Sequence, residues 1–98
     1  MAGYQCGFLV NDHQEKILIT SSPWYIGRNK ECDFVLDFPE ISKTHCVIYF
    51  EEGRCYLEDQ GSTNGTRINE NKISSYKKIQ IKETDVISLA GHQFTYYV

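Results

Sequence analysis

No apolar run in this chain approaches the ~20 residues that cross a membrane as a helix. The opening Met1-Ala2-Gly3-Tyr4 has neither a basic stretch nor a hydrophobic segment behind it, so no secretory leader is expected. Positive charge is not in excess either: 10 Lys and Arg against 13 Asp and Glu leave a net charge of −3. That balance argues against a general binder of nucleic acid or of membrane surfaces. The four cysteines, at 6, 32, 46 and 55, form no C-x-x-C pair and no zinc-like spacing with the three histidines. No metal site and no cofactor are expected. Cys46 and Cys55 alternate with apolar neighbours and read as small core residues. Reduced thiols and an intracellular setting, nuclear or cytoplasmic, fit this usage best, with two disulfides as the alternative. A long helix, an internal repeat, a linker and a low-complexity tract are all lacking.

What is present is a core. With 41% hydrophobic and 13% aromatic residues, the 98-residue chain has the means to bury one, and nothing in it reads as disordered. Seven Tyr, five Phe and many Ile and Val favour sheet over helix. Ten short β runs are expected, at 5–10, 16–20, 24–26, 34–36, 46–50, 55–58, 66–68, 77–81, 86–89 and 93–98. Turn chemistry separates them at Asn11-Asp12-His13, Ser21-Ser22-Pro23, Glu51-Glu52-Gly53, Asn64-Gly65 and Ala90-Gly91-His92. Many short strands at regular spacing imply an all-β sandwich or barrel. Residues 78–82 alternate polar and apolar, the mark of a strand with one face in water. One domain over residues 1–98 is expected, monomeric in isolation and of a length that suggests a piece of a larger protein.

Three polar segments fall in order across about forty residues: Gly27-Arg28, Ser42-Lys43-Thr44-His45 and Asp59-Gln60-Gly61-Ser62-Thr63-Asn64-Gly65-Thr66. Each lies between strand-like runs and so on a loop or a strand end. Together they supply a guanidinium, hydroxyls, an ammonium and a side-chain amide. Such a donor set suits a phosphate monoester, which is doubly charged and offers three acceptor oxygens. Gly27 at a strand end reads as a bulge or a positive φ. Arg28 behind it would project from the loop rim, where its planar fork binds phosphate with two hydrogen bonds. His45 reads as structural, bonding loop backbone and holding Ser42. Asn64-Gly65 is a strong hairpin signal.

In this order and spacing, Gly27-Arg28, Ser42-x-x-His45 and Asn64-Gly65 resemble the forkhead-associated (FHA) domain family. The resemblance runs from Phe8 to Tyr97. It includes the Ile26 lead-in, Cys32-Asp33-Phe34-Val35-Leu36, the strand after His45, and Leu57-Glu58-Asp59 before Ser62-Thr63-Asn64-Gly65-Thr66. It implies an eleven-stranded antiparallel β-sandwich with ligand loops at one end, binding phosphothreonine peptides in signalling, with no catalytic activity in this domain. Arg28 and Ser42 match the family's phosphate-binding arginine and serine, and Lys43 a frequent phosphate contact. Thr63 matches a residue lining the pocket near the phosphothreonine. Asn64 matches the residue that hydrogen-bonds the peptide backbone. Gly27, His45 and Gly65 match residues that shape the loops. Glu40 stands where some relatives carry a basic residue that selects an acidic side chain three residues after the phosphothreonine. An acidic residue there is expected to disfavour Asp or Glu at +3 and to tolerate Lys or Arg.

Two other readings compete. Ser42, His45 and Asp59 would have to converge as a triad in a small hydrolase, but no G-x-S-x-G elbow accompanies them. Alternatively, the module binds partners or itself without phosphate, through a sandwich face bearing Trp24, Tyr49, Tyr96 or Tyr97.

Overall fold

Alternation at period two turns this sequence into sheet. Along Arg54–Asp59, Cys55, Leu57 and Asp59 are buried while Arg54, Tyr56 and Glu58 face outward. Along His92–Tyr97 the inward residues are Phe94 and Tyr96. The structure, a computed structural model, describes residues 7–98, so Gln5 and Cys6 of the first expected run lie outside the described residues.

Two sheets result. The six-stranded sheet runs β2 (Lys16–Leu18), β1 (Phe8–Val10), β11 (His92–Tyr97), β10 (Val86–Leu89), β7 (Thr66–Ile68), β8 (Asn71–Lys72). The five-stranded sheet runs β4 (Phe34–Val35), β3 (Trp24–Gly27), β5 (Cys46–Glu51), β6 (Arg54–Asp59), β9 (Ile79–Ile81). Each of the ten expected runs overlaps one of these strands; β8, two exposed polar residues, had no pattern to announce it. Neighbours are antiparallel except β3 and β4, which run parallel. At β9, Ile81 is buried and Gln80 exposed, giving one wet face.

The sheets close over a core in which Leu9, Ile26, Ile48, Leu57, Ile87 and Leu89 have no exposed surface. Each such side chain contributes ~1.5–3 kcal/mol by leaving water. An aromatic chain ties one sheet to the other. Trp24 stacks on Phe34 at 5.7 Å, and Phe34 meets Phe94 edge-on at 5.5 Å. Trp24 and Tyr96 are therefore core residues rather than surface for a partner.

Two expectations need correction here. The Asn64-Gly65 turn closes no hairpin: β6 belongs to the five-stranded sheet and β7 to the six-stranded one, so the segment crosses between sheets. The turn signal is local and carries no information about which sheet the next strand joins. Cys55 is disulfide-bonded, so the expectation of reduced thiols fails for it. Disulfide pairing follows proximity in the fold, which cysteine spacing does not encode. Cys32 and Cys46 are free, and burial pushes the Cys46 thiol well above its ordinary pKa.

Candidate functional site

Register brings the three polar segments to one end of the sandwich. Ile26 pairs with Cys46, and Cys46 pairs with Asp59 on its other side. The loop leaving β3, the loop entering β5 and the loop leaving β6 therefore start from adjacent positions.

The first two loops are laddered by backbone. Arg28 N–H donates to Ser42 C=O at 3.0 Å, Asn29 N–H to Lys43 C=O at 3.1 Å, and His45 N–H to Ile26 C=O at 2.8 Å. This close approach explains Gly27. A Cβ there would lie 2.2 Å from the Lys43 carbonyl oxygen. Gly27 is a member of β3 with no positive φ, so the expectation of a bulge or left-handed backbone is replaced by one of space. Gly65 is different: its φ of 85° is the left-handed turn that glycine favours.

His45, fully buried, joins the second loop to the third. Its Nδ1 accepts the Ser42 N–H at 3.1 Å. The ring proton must then sit on Nε2, which donates to the Gly65 carbonyl at 2.9 Å. The third loop adds two more links: Thr63 N–H donates to Ser42 Oγ at 3.0 Å, and Asn64 Nδ2 donates to Glu40 C=O at 2.8 Å.

Behind the loops, Asp59 is a residue whose importance sequence reasoning missed. Its buried carboxylate accepts from Gly61 N–H at 3.0 Å, Ser62 N–H at 3.1 Å, Ser62 Oγ at 2.5 Å, Thr66 Oγ1 at 2.6 Å and Ser75 Oγ at 2.8 Å. Burial pushes this carboxyl up in pKa, but the bonds from Ser62, Thr66 and Ser75 outweigh it and hold the group below its usual value. The available signal was the Asp-x-x-Ser spacing of an Asx turn. Glu40 also has a partner: its Oε2 lies 2.6 Å from His92 Nε2, and that hydrogen bond lowers its pKa.

These links leave an open cleft of about 330 Å³ lined by Arg28, Glu40, Ser42, Lys43, Thr63 and Asn64, with Pro39 and Ile41. All five expected binding residues reach it, while Gly27, His45 and Gly65 stand behind it. The cleft is rich in donors. Arg28 Nε is held by the Ile41 carbonyl at 2.9 Å, which fixes the guanidinium plane and leaves its terminal nitrogens unbonded among the described residues. Ser42 Oγ already accepts an N–H, so its own proton is free to be donated. Lys43 adds an ammonium. An acceptor-only, multiply charged group complements this set.

The triad geometry is lost. Both His45 nitrogens are engaged by backbone, and Asp59 bonds hydroxyls and amides of its own loop and Ser75. No group of three or more His, Cys, Asp or Glu among the described residues is placed to hold a metal ion. No helix among the described residues is long and apolar enough to cross a membrane.

A β-sandwich with a donor-lined cleft between loops at one end defines a recognition module. The chain belongs to the FHA domain family, whose model matches residues 24–90. It is 33% identical to Homo sapiens proliferation marker protein Ki-67 over 78 residues, 80% of this chain and 2% of that protein. It is 40% identical to the Xenopus laevis E3 ubiquitin-protein ligase CHFR over 81 residues, 78% of this chain and 12% of that protein. The chain thus spans a small part of these relatives' length. The solved MEK1 FHA domain in complex with a HOP1 phosphothreonine peptide is 30% identical, with a TM-score of 0.81 over 97% of this chain and 98% of that one.

Proposed function

We propose that this domain recognises phosphothreonine in partner proteins and so makes their association depend on phosphorylation. The observation that carries this reading is the convergence of Arg28, Ser42, Lys43, Thr63 and Asn64 on one cleft in an FHA domain. Arg28, Ser42 and Lys43 hold the phosphate. Thr63 lines the wall near the phosphothreonine side chain. Asn64 bonds the peptide backbone, its Nδ2 exchanging Glu40 C=O for the peptide or its Oδ1 accepting a peptide N–H. Gly27, His45 and Gly65 set loop shape. Glu40 faces the cleft and disfavours acidic residues at +3, with His92 hydrogen-bonded to its carboxylate.

Four or five charge-assisted hydrogen bonds at ~1.5–3 kcal/mol each give a gross gain near 10 kcal/mol. Ordering the peptide and losing its free motion cost several kcal/mol, which leaves an affinity on the order of tens of micromolar. The chain acts as a non-catalytic recognition unit, monomeric alone, within a larger signalling protein of the nucleus or cytoplasm, where kinases make phosphothreonine. Any enzymatic activity of that protein resides in other domains.

The test is calorimetric titration with a degenerate phosphothreonine peptide library and its unphosphorylated twin, repeated with Arg28→Ala. Micromolar binding that requires the phosphate and weakens by ~2–4 kcal/mol without Arg28 supports the reading. Equal binding of both libraries would assign the domain to phosphate-independent association through a sandwich face instead.

A further inference from the structure

Beside the phosphate cleft lies a second and larger cavity, of about 400 Å³, open to solvent. It occupies the side of the sandwich where β4 borders the five-stranded sheet and the β1–β2 and β10–β11 turns reach over from the other. Its floor is apolar: Phe34, Leu36 and Phe94, with the 43% exposed Phe38 at one wall. Its rim carries the carboxylates of Asp12 and Glu15, and no lysine or arginine lines it. Lys16, the nearest cation in sequence, turns away with its ammonium 4.3 Å over the Phe8 ring. A volume of this size, apolar below and with two carboxylates beside His13 and His92 above, is the form of a side-chain binding groove.

The groove and the phosphate cleft lie on either side of one turn. The 38–40 turn is a wall of both: Phe38 lines the groove, while Pro39 and Glu40 line the cleft. His92 clamps that wall, with its ring stacked on Phe38 at 4.4 Å and its Nε2 bonded to the Glu40 carboxylate at 2.6 Å. A polypeptide leaving the cleft past Glu40 has only Phe38 and His92 to cross before it reaches the groove.

We infer that this groove is a second docking site for the same phosphorylated partner, taking an aliphatic or aromatic side chain next to a Lys or Arg, beyond the third residue from the phosphothreonine. The apolar side chain fills the space over Phe34, Leu36 and Phe94, and the neighbouring cation meets Asp12 and Glu15. This inference rests on the phosphothreonine reading of the cleft. The two anchors on one chain act together, so the second raises affinity by effective concentration, by roughly ten-fold or more.

The experiment selects, against the intact domain, from a phosphothreonine-centred peptide library randomised over roughly ten positions on each side, the span of an extended recognition segment. Selected peptides and versions trimmed to the third residue on each side are then compared by fluorescence anisotropy. The expected result is enrichment of an apolar residue beside Lys or Arg beyond the third position, with binding about ten-fold or more tighter than the trimmed peptide. Asp12→Lys/Glu15→Lys should abolish that gain and leave the trimmed peptide's affinity unchanged. Gln93→Trp, an exposed position on the groove lining, should do the same by blocking it. Enrichment confined within three residues of the phosphothreonine, or a gain that survives both variants, overturns the groove and spares the phosphate reading. Trimmed peptides that bind no better than their unphosphorylated twins overturn the phosphate reading and this inference with it.

Discussion

The carboxylate of Asp59 organises the loop that carries Thr63 and Asn64, and its replacement tests that claim quantitatively. Five donors converge on it. Hydrogen bonds to a charged acceptor contribute ~1.5–3 kcal/mol each, but most of these donors can be rehydrated when the carboxylate is removed. Gly61 and Ser75 are exposed and Ser62 half-buried, so water can take the acceptor's place. Thr66 is fully buried, and its hydroxyl would be orphaned at ~1–3 kcal/mol. Asp59→Ala should therefore cost ~2–4 kcal/mol, the orphaned Thr66 hydroxyl plus part of the lost charge-assisted bonding, against the ~5–15 kcal/mol of a whole domain. Asp59→Asn should cost less, ~1.5–2.5 kcal/mol. Its amide oxygen can keep the two backbone N–H donors on the Oδ2 side, while its NH₂ turns toward the Ser62 and Thr66 hydroxyls. Urea unfolding followed by Trp24 fluorescence at neutral pH measures both variants. Because the folded carboxyl titrates below its unfolded value of ~3.9, its contribution is complete above that pH and lost as pH falls through the folded value. The gap between wild type and Asp59→Asn should stay constant from neutral pH to about 4 and narrow below it. An alanine variant within ~1 kcal/mol of wild type, or an asparagine variant as costly as alanine, would refute the network as described.

Gly27→Ala places a Cβ 2.2 Å from the Lys43 carbonyl and must displace the loop bearing Ser42. It should cost ~1–3 kcal/mol of stability and weaken phosphopeptide binding out of proportion to that loss, read by calorimetry on the folded fraction. Glu40→Lys should shift peptide selection toward Asp or Glu at +3, and wild-type preference for Asp at +3 would remove Glu40 from the specificity account. Cys46, buried and with its thiol pKa raised by that burial, should resist alkylation at mild alkaline pH until the domain unfolds. Mass spectrometry of iodoacetamide-treated protein with and without urea checks this.

Much of the fold was legible because strand alternation is a property of neighbours in sequence. In β6 the apolar Cys55 and Leu57 mark the buried face, and in β9 the polar Gln80 marks the wet one. What failed to show was pairing between distant segments. The Asn64-Gly65 signal was real as a turn and wrong as a hairpin, since the sheet change between β6 and β7 is decided by the core. Gly27 was recognised as special for the wrong reason: its backbone is ordinary, and the constraint comes from Lys43, sixteen positions later, pressing against it. Glu40 read as a bare charge because its partner, His92, is 52 residues away. The binding residues themselves were visible as a set, whereas the residues that fix them in place are distributed over the chain.

That distribution bears on how so small a site can bind at all. The ligand-facing groups sit on loops, which in isolation would lose several kcal/mol on ordering around a peptide. Here the ordering is already built into the fold. Arg28 is tethered at Nε, Ser42 by its N–H and its Oγ, Thr63 by its N–H and Asn64 by its side-chain amide. His45 locks the second loop to the third through two bonds that only one neutral tautomer can make together. The tethers use backbone carbonyls, a ring nitrogen and the acceptor side of Ser42, and they leave outward the guanidinium ends, the Ser42 proton and the Lys43 ammonium. The same bonds that rigidify the loops thus give the cleft its polarity. For the proposed ligand, affinity and selectivity for phosphate over neutral hydroxyl have one structural origin.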